Sequence, residues 1–342
     1  MAFYGLDLGT KTIVFARLGE DGRPVFRWEI NGFYAFDRPD NFVRSILTKQ
    51  NVPHIEKEGK IYALGRKAED IAYAFNGQLR RPMANGTVSK EPEAINIMAS
   101  IIHALIGKVT EDSVICYCIP ADALNRDTNV KLHEKIAQMI IEGKKSEAKI
   151  TAFSVNEARA IAIGAQQDVA IAISWGAGMV NVCYYKWGLS IFEFSLVGSG
   201  DWIDIKSAEA FDYDPKRPDE KYTETPTTIA KRKHELDLSQ PVSSMGKVEQ
   251  VIAMNYKILI ENVVNGIING FNQNLDKGRF DGKIPIIMAG GTASPKGFAE
   301  YFKNTFGTKT FPFNLSEVVV ADKPLFAVAE GCLEAAKLSV NQ

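Results

Sequence analysis

Asp7 stands at the end of a short apolar run (Phe3, Tyr4, Leu6) that leads straight into Gly9 and Thr10. A second β-rich run, Ile13 to Ala16, follows at once, so the two make a hairpin across a glycine turn. Amides in such a concave turn attract an oxyanion such as phosphate, and a carboxylate beside them holds a hydrated cation. A plain hairpin in which Asp7 satisfies turn amides fits the same residues, and this stretch alone leaves both readings open. The pattern returns twice: Val169 to Ile173 runs into Trp175-Gly176-Ala177-Gly178, and Pro285 to Met288 into Ala289-Gly290-Gly291-Thr292. Three such turns weigh more than one, and glycine lets a flat ring or a phosphate approach the backbone closely.

At 342 residues the chain is too long for one ordinary core, so two domains are expected. Apolar content of 46%, charged content of 24% and a net charge of -1 describe a globular protein with no electrostatic footprint for nucleic acid. No apolar run approaches the ~20 residues of a membrane span, and the N-terminus lacks a signal-peptide pattern. Cys116 and Cys118 (in VICYCIP) and Cys183 (in VNVCYY) lie in apolar runs without a metal-binding spacing. Reduced core thiols and a cytoplasmic location are the expectation.

The elements that must position the glycine turns alternate between strand and helix. Val25 to Ile30 reads as a third strand after the opening hairpin. Asn31 to Gly86 is polar and irregular, with a strand at Ile61 to Leu64 and a helix at Arg66 to Phe75. Apolar spacing predicts helices over Glu91 to Ile106, Asn129 to Ile141 and Val155 to Ala165, with strands at Ser113 to Ile119 and Ile150 to Phe153. From Asp168 the opening pattern starts again: strand, glycine turn, Val180 to Tyr185, Leu189 to Leu196, then a helix opened by Gly198 to Asp201. This is an internal duplication. A polar insertion with a basic helix (TIAKRKHEL), a long helix from Val248 to Phe271, and helices at Pro295 to Phe306 and Leu325 to Leu338 complete the chain.

The motifs DLGTKT, SWGAGMVNV and MAGGTASPKGF are similar to the phosphate-1, phosphate-2 and adenosine motifs of the superfamily of actin, heat-shock chaperones and sugar kinases. Within it the chain most resembles the bacterial actins, MreB and MamK. GRKAEDI, RRPMANGTV, CIPA, VNEARAIAIGA, VGSGDWID and ADKPLFAVAEG resemble MreB segments in the same order along the chain. The resemblance implies an α/β actin-like fold of two duplicated ribonuclease-H-like domains around a nucleotide cleft, each with a small inserted subdomain. Domain I would take residues 1–153 and 325–342 with an insertion at about 31–90; domain II would take 154–324 with an insertion at about 206–250.

The same resemblance implies ATP or ADP with Mg²⁺ as ligands. Asp7 would hold Mg²⁺ through water, while Gly9, Thr10, Lys11 and Thr12 cradle the β-phosphate and Gly176, Ala177 and Gly178 the γ-phosphate. Gly290, Gly291 and Thr292 would touch the adenosine, with Lys231 and Arg232 along the adenine and ribose and Gly200 and Asp201 near the site. Glu157 falls where MreB carries the carboxylate that positions the attacking water. Taken as plain residues, Glu157 also fits a helix N-terminal acid favoured by the macrodipole, and Lys231 and Arg232 a solvated basic face. One departure stands out. Where the phosphate-2 motif opens with Asp, this chain has Ser174, and Met179 replaces the usual Thr. Losing a positioning group costs roughly 10²-fold in rate, so nucleotide binding with slow hydrolysis is expected.

A filament protein assembling head to tail with itself is the leading functional expectation, a slow ATPase suiting a long-lived scaffold. A non-polymerising, chaperone-like assembly adaptor and a small-molecule kinase are the alternatives. Membrane or cargo contact would run through adaptor proteins: the opening strand starts almost at Met1, so no N-terminal anchor is expected, and Phe75 reads as a core aromatic before an apolar tip.

Overall fold

The computed structural model describes residues 1–37, 39–75, 77–218, 220–278, 282–307, 309–311 and 313–340. Positions 38, 76 and 219, inside the expected insertions, and 341–342, at the expected end of domain I, lie outside the described residues. The chain divides into two compact units, Met1–Ile119 with Asn129–Val155 and Cys332–Gln342, and Pro120–Thr128 with Asn156–Gly331.

In the first unit β1 (Ala2–Leu8), β2 (Thr12–Leu18) and β3 (Pro24–Ile30) form an antiparallel meander. An insertion follows: β4 (Phe33–Phe36), α1 (Asn41–Lys49), β5 (His54–Lys57), β6 (Lys60–Leu64), α2 (Arg66–Ala74), and the short ribbon β7 (Met83–Ala84) and β8 (Thr87–Val88). Its β4-β6-β5 sheet closes a core of its own around Leu47, Ile61 and Ala63. Phe75 belongs to that core, edge-on to Phe36 at 5.1 Å. The main sheet then gains α3 (Ala94–Ile106), β9 (Ser113–Ile119), α4 (Val130–Glu142) and β10 (Ile150–Asn156), giving the strand order β10-β9-β1-β2-β3 with β9 parallel to β1.

The second unit repeats this plan. After α5 (Glu157–Gly164), β11 (Val169–Trp175), β12 (Met179–Lys186) and β13 (Leu189–Val197) form the same meander. There follow α6 (Gly200–Glu209), α7 (Pro226–Glu235), α8 (Lys247–Gln273), α9 (Leu275–Gly278), β14 (Lys283–Ala289), α10 (Phe298–Phe306), β15 (Asn314–Val320) and α11 (Ala327–Leu338). The sheet order, β13-β12-β11-β14-β15, is that of the first unit strand for strand, so the duplication read in the sequence extends to topology. Strand β11 shows why the sheet is covered on both faces. Val169, Ile171, Ile173 and Trp175 enter the core built with α8 and α10, while the alternate Ala170, Ala172 and Ser174 are small and lie toward α5.

Several expectations shift. The strand expected to end at Phe153 runs to Asn156, and the helix expected from Val155 starts at Glu157. Asn156 is the cap that decides this, its Oδ1 accepting from Ala158 N (2.8 Å) and Arg159 N (3.2 Å). The helix expected from Pro295 starts at Phe298, because Gly297 is left-handed (φ +79) and packs on Ser239. Trp175, read as part of a turn, is a fully buried strand residue. Helix α8 is long and apolar enough to span a bilayer by composition, against the sequence reading; half of that stretch is buried, with Ile252, Tyr256, Ile260 and Val264 in the core.

His133, on α4, is 1% exposed, and neither ring nitrogen has a partner among the described residues. Burial pushes its pKa down to about 4. The native state therefore binds fewer protons than the unfolded chain between the ordinary histidine value of 6.5 and about 4, so stability is lost as pH falls through that window. His133→Leu is expected to shrink the loss between pH 7 and pH 5 by about 2 kcal/mol. Thermal unfolding of both proteins at the two pH values measures it; an equal loss in the variant would remove His133 as the cause.

Candidate functional site

In the first unit the site is the turn between β1 and β2. Gly9 is required there: a Cβ would sit 2.4 Å from Thr12 O. Asn31, fully buried, takes two carbonyls of the turn, its Nδ2 donating to Gly9 O (3.0 Å) and its backbone N to Lys11 O (2.9 Å). The Thr10 hydroxyl accepts from Gly86 N (3.1 Å), tying the turn to the β7–β8 ribbon. Asp7, one residue before the end of β1, is half-buried. Burial pushes its carboxyl up to about 6, against a hydrogen bond from Cys118 Sγ (3.2 Å) that lowers it. No ion pair to Asp7 occurs among the described residues.

A desolvated carboxylate without a cationic partner suits a bound cation. Among the described residues no group of three or more His, Cys, Asp or Glu is placed to hold a metal. Asp7 alone could serve a cation that keeps most of its water. The four cysteines are free and buried, as the sequence suggested.

In the second unit the β11–β12 turn is closed by Gly176 N donating to Met179 O (3.0 Å). All three of its carbonyls are engaged. Gly176 O accepts from Thr292 Oγ1 (2.7 Å) and Gly200 N (3.3 Å), Ala177 O from Asp201 N (2.9 Å), and Gly178 O from Gly198 N (3.0 Å). The expected residues Gly176, Ala177, Gly178, Gly200, Asp201 and Thr292 are therefore one cluster. Gly200 is needed because a Cβ would lie 2.4 Å from Thr292 Oγ1. Gly290 (φ +98) packs its Cα against Trp175 O, where a Cβ would sit at 2.3 Å, whereas a Cβ on Gly291 would meet nothing within 4 Å. Buried Tyr256 pins this third turn through Thr292 O (2.9 Å).

Glu157 and Ser174, far apart in sequence, meet at the base of that cluster's sheet. Ser174 Oγ donates to Glu157 Oε2 at 3.1 Å, and Asn181 Nδ2 donates to the same oxygen at 2.9 Å. Glu157 is 9% exposed. A carboxylate so placed accepts hydrogen bonds from neutral donors and can orient a water.

The basic helix behaves differently from the rest. Lys231 and Arg232 lie on the exposed side of α7, where Arg232 pairs with Glu224 (2.9 Å) and Glu249 (3.2 Å). Lys233 is the residue that turns inward, donating to Gly200 O (2.8 Å) and pairing with Asp204 (2.5 Å). Sequence reasoning missed it, although Ile229, Lys233 and Leu236 at i, i+4 and i+7 share a buried face that the spacing could have shown. It also missed Asn31, Cys118 and Asn181. Cys118 lay in an apolar run, and the two asparagines bore no local signal.

Comparison with curated proteins finds no match. Among solved structures the chain is similar to a MamK double helical filament (TM-score 0.71, 17% identity, 99% of this chain and 98% of that one). It is also similar to MreB5 of Spiroplasma citri bound to AMPPNP (0.67, 15%, 99% and 97%) and to the ethanolamine utilization protein EutJ from Carboxydothermus hydrogenoformans (0.56, 16%, 98% and 90%). These likenesses establish the actin-like fold expected from the motifs. A family model described as Volactin matches residues 1–336, and the chain belongs to that volactin family.

Proposed function

We propose that this protein binds ATP or ADP with Mg²⁺, polymerises head to tail into cytoplasmic filaments, and hydrolyses ATP slowly. The observation that carries the reading is shared by both glycine hairpins: carbonyls of each turn (Gly9 and Lys11 in the first, Gly176, Ala177 and Gly178 in the second) are engaged by neighbouring groups, so the remaining amides are what each turn can present to an anion. Gly9, Thr10, Lys11 and Thr12 then serve the β-phosphate and Gly176 to Gly178 the γ-phosphate. Gly290 and Gly291 offer adenosine a surface without side chains, and Thr292 holds their turn. Asp7 binds Mg²⁺ through water, and the metal, when bound, offsets phosphate charge. Glu157 orients the attacking water; Ser174 supplies a hydrogen bond there without the charge of an Asp, which keeps turnover slow. The fold shared with MamK, solved as a filament, and with MreB5, solved with AMPPNP and with ADP, supports both polymerisation and nucleotide binding.

Sedimentation and negative-stain microscopy with Mg-ATP, Mg-ADP or no nucleotide, with phosphate release followed in the same tubes, test this reading. Filaments that need ATP and release phosphate slowly are expected. Bound nucleotide without polymer at any concentration would sink the filament and leave an assembly adaptor. Faster assembly with GTP than with ATP would overturn the adenine assignment.

A further inference from the structure

Three polar side chains lie in register across the second sheet. Ser174 on β11 is the cross-strand neighbour of Asn181 on β12, which in turn faces Ser195 on β13. They are 3%, 0% and 0% exposed. Burying such a row is costly unless hydrogen bonds satisfy it. Two residues do so. Glu157 Oε2 accepts from Ser174 and Asn181, while Ala121 donates its N–H to Asn181 Oδ1 (3.1 Å) and accepts from Ser195 Oγ at its carbonyl (2.8 Å). The Asn181 amide has one workable orientation. Because the Ala121 N–H can only donate, it must meet the amide oxygen, and Nδ2 is then committed to Glu157.

We infer that Asn181 is the positioning residue of Glu157, a role that rests on Glu157 orienting the attacking water as proposed above. Two neutral donors on one carboxylate oxygen hold its plane in one direction. Ala121 is itself seated on the edge of β13, where Ser195 N donates to Asp122 O (3.0 Å) and Leu124 N to Ser195 O (2.9 Å). The direction of the carboxylate is thereby fixed through Asn181 by the Pro120–Thr128 segment and not by α5 alone.

Asn181→Asp tests this. It keeps the shape and the acceptor for Ala121 N but replaces the donor to Glu157 with an acceptor. Full-length protein with Mg-ATP would be followed by calorimetric titration, phosphate release and thermal unfolding. The expected result is an ATP Kd within about threefold of wild type and phosphate release at least roughly tenfold slower. The double variant N181D/E157Q restores a donor–acceptor pair of reversed polarity. It should recover the melting temperature lost by Asn181→Asp while phosphate release stays low. A folded Asn181→Asp protein that binds ATP and releases phosphate at the wild-type rate overturns the inference. So does a double variant whose release recovers along with its stability, and that variant decides the matter if Asn181→Asp alone does not fold. Wild-type protein that binds no ATP overturns the proposed function and this inference together, whereas wild type that binds and hydrolyses puts Asn181 alone at stake.

Discussion

Ser174→Asp is expected to speed phosphate release about 100-fold at saturating Mg²⁺, and at the same time to destabilise the metal-free protein. Both effects have one cause. Ser174 Oγ lies 3.1 Å from Glu157 Oε2 in a site where Ser174 is 3% and Glu157 9% exposed. In the proposed function, a carboxylate at position 174 would add the charge that orders metal and lytic water. Without metal, it sets two acids side by side with little water between them, and one must take up a proton or move away. A penalty on the order of 2 kcal/mol corresponds to roughly 3 °C in melting temperature for a chain of this size. Phosphate release as a function of Mg²⁺ concentration, with melting of the metal-free protein alongside, reads both. Unchanged release at saturating Mg²⁺ would mean that Ser174 is not what slows turnover.

Gly331→Ala should lower stability by about 3–5 kcal/mol, seen as a fall of roughly 4–7 °C in melting temperature. Helix propensity argues the other way, since alanine is favoured over glycine by about 1 kcal/mol within a helix. The contact decides. In α11 a Cβ on Gly331 would lie 1.8 Å from Ala160 O on α5, and a Cβ on Gly164 would lie 3.0 Å from Gly331 Cα. The helices touch through backbone, so no flexible side-chain tip can yield, and one of them must move. Gly22, left-handed (φ +75) with nothing near its would-be Cβ, is the control for mere glycine loss; Gly22→Asn should stay within about 1 kcal/mol. A Gly331→Ala protein as stable as wild type would show that α5 and α11 separate easily.

Much of the fold was legible because its signals are local. The apolar runs of β1, β9 and β11, the helical spacing of α3 and α8, and the glycines of both hairpins report on neighbours within a few residues. Strand β15 was not legible: NLSEVVV mixes polar and apolar residues because it is an exposed edge strand, partnered by β14 on one side. Helix α1 and strands β4 and β5 were hidden for a similar reason, since a subdomain with so small a core leaves most of its residues polar.

The sequence by itself determined the duplicated α/β plan, the hairpins with Asp7, Gly9 and Gly176, and the replacement of an expected Asp by Ser174. Strand alternation, helix period and the need for glycine in a tight turn are properties of short segments. Tertiary structure alone decided that Lys233 and not Lys231 turns inward, that Asn31 and Thr292 occupy the hairpin carbonyls, and that Asn181 and Ser174 converge on Glu157. Those partners stand 22 residues apart for Asn31 and Gly9, 116 for Thr292 and Gly176, and 24 for Asn181 and Glu157. What joins them is sheet register and packing, which bring distant residues within hydrogen-bond reach and which no short stretch of chain encodes.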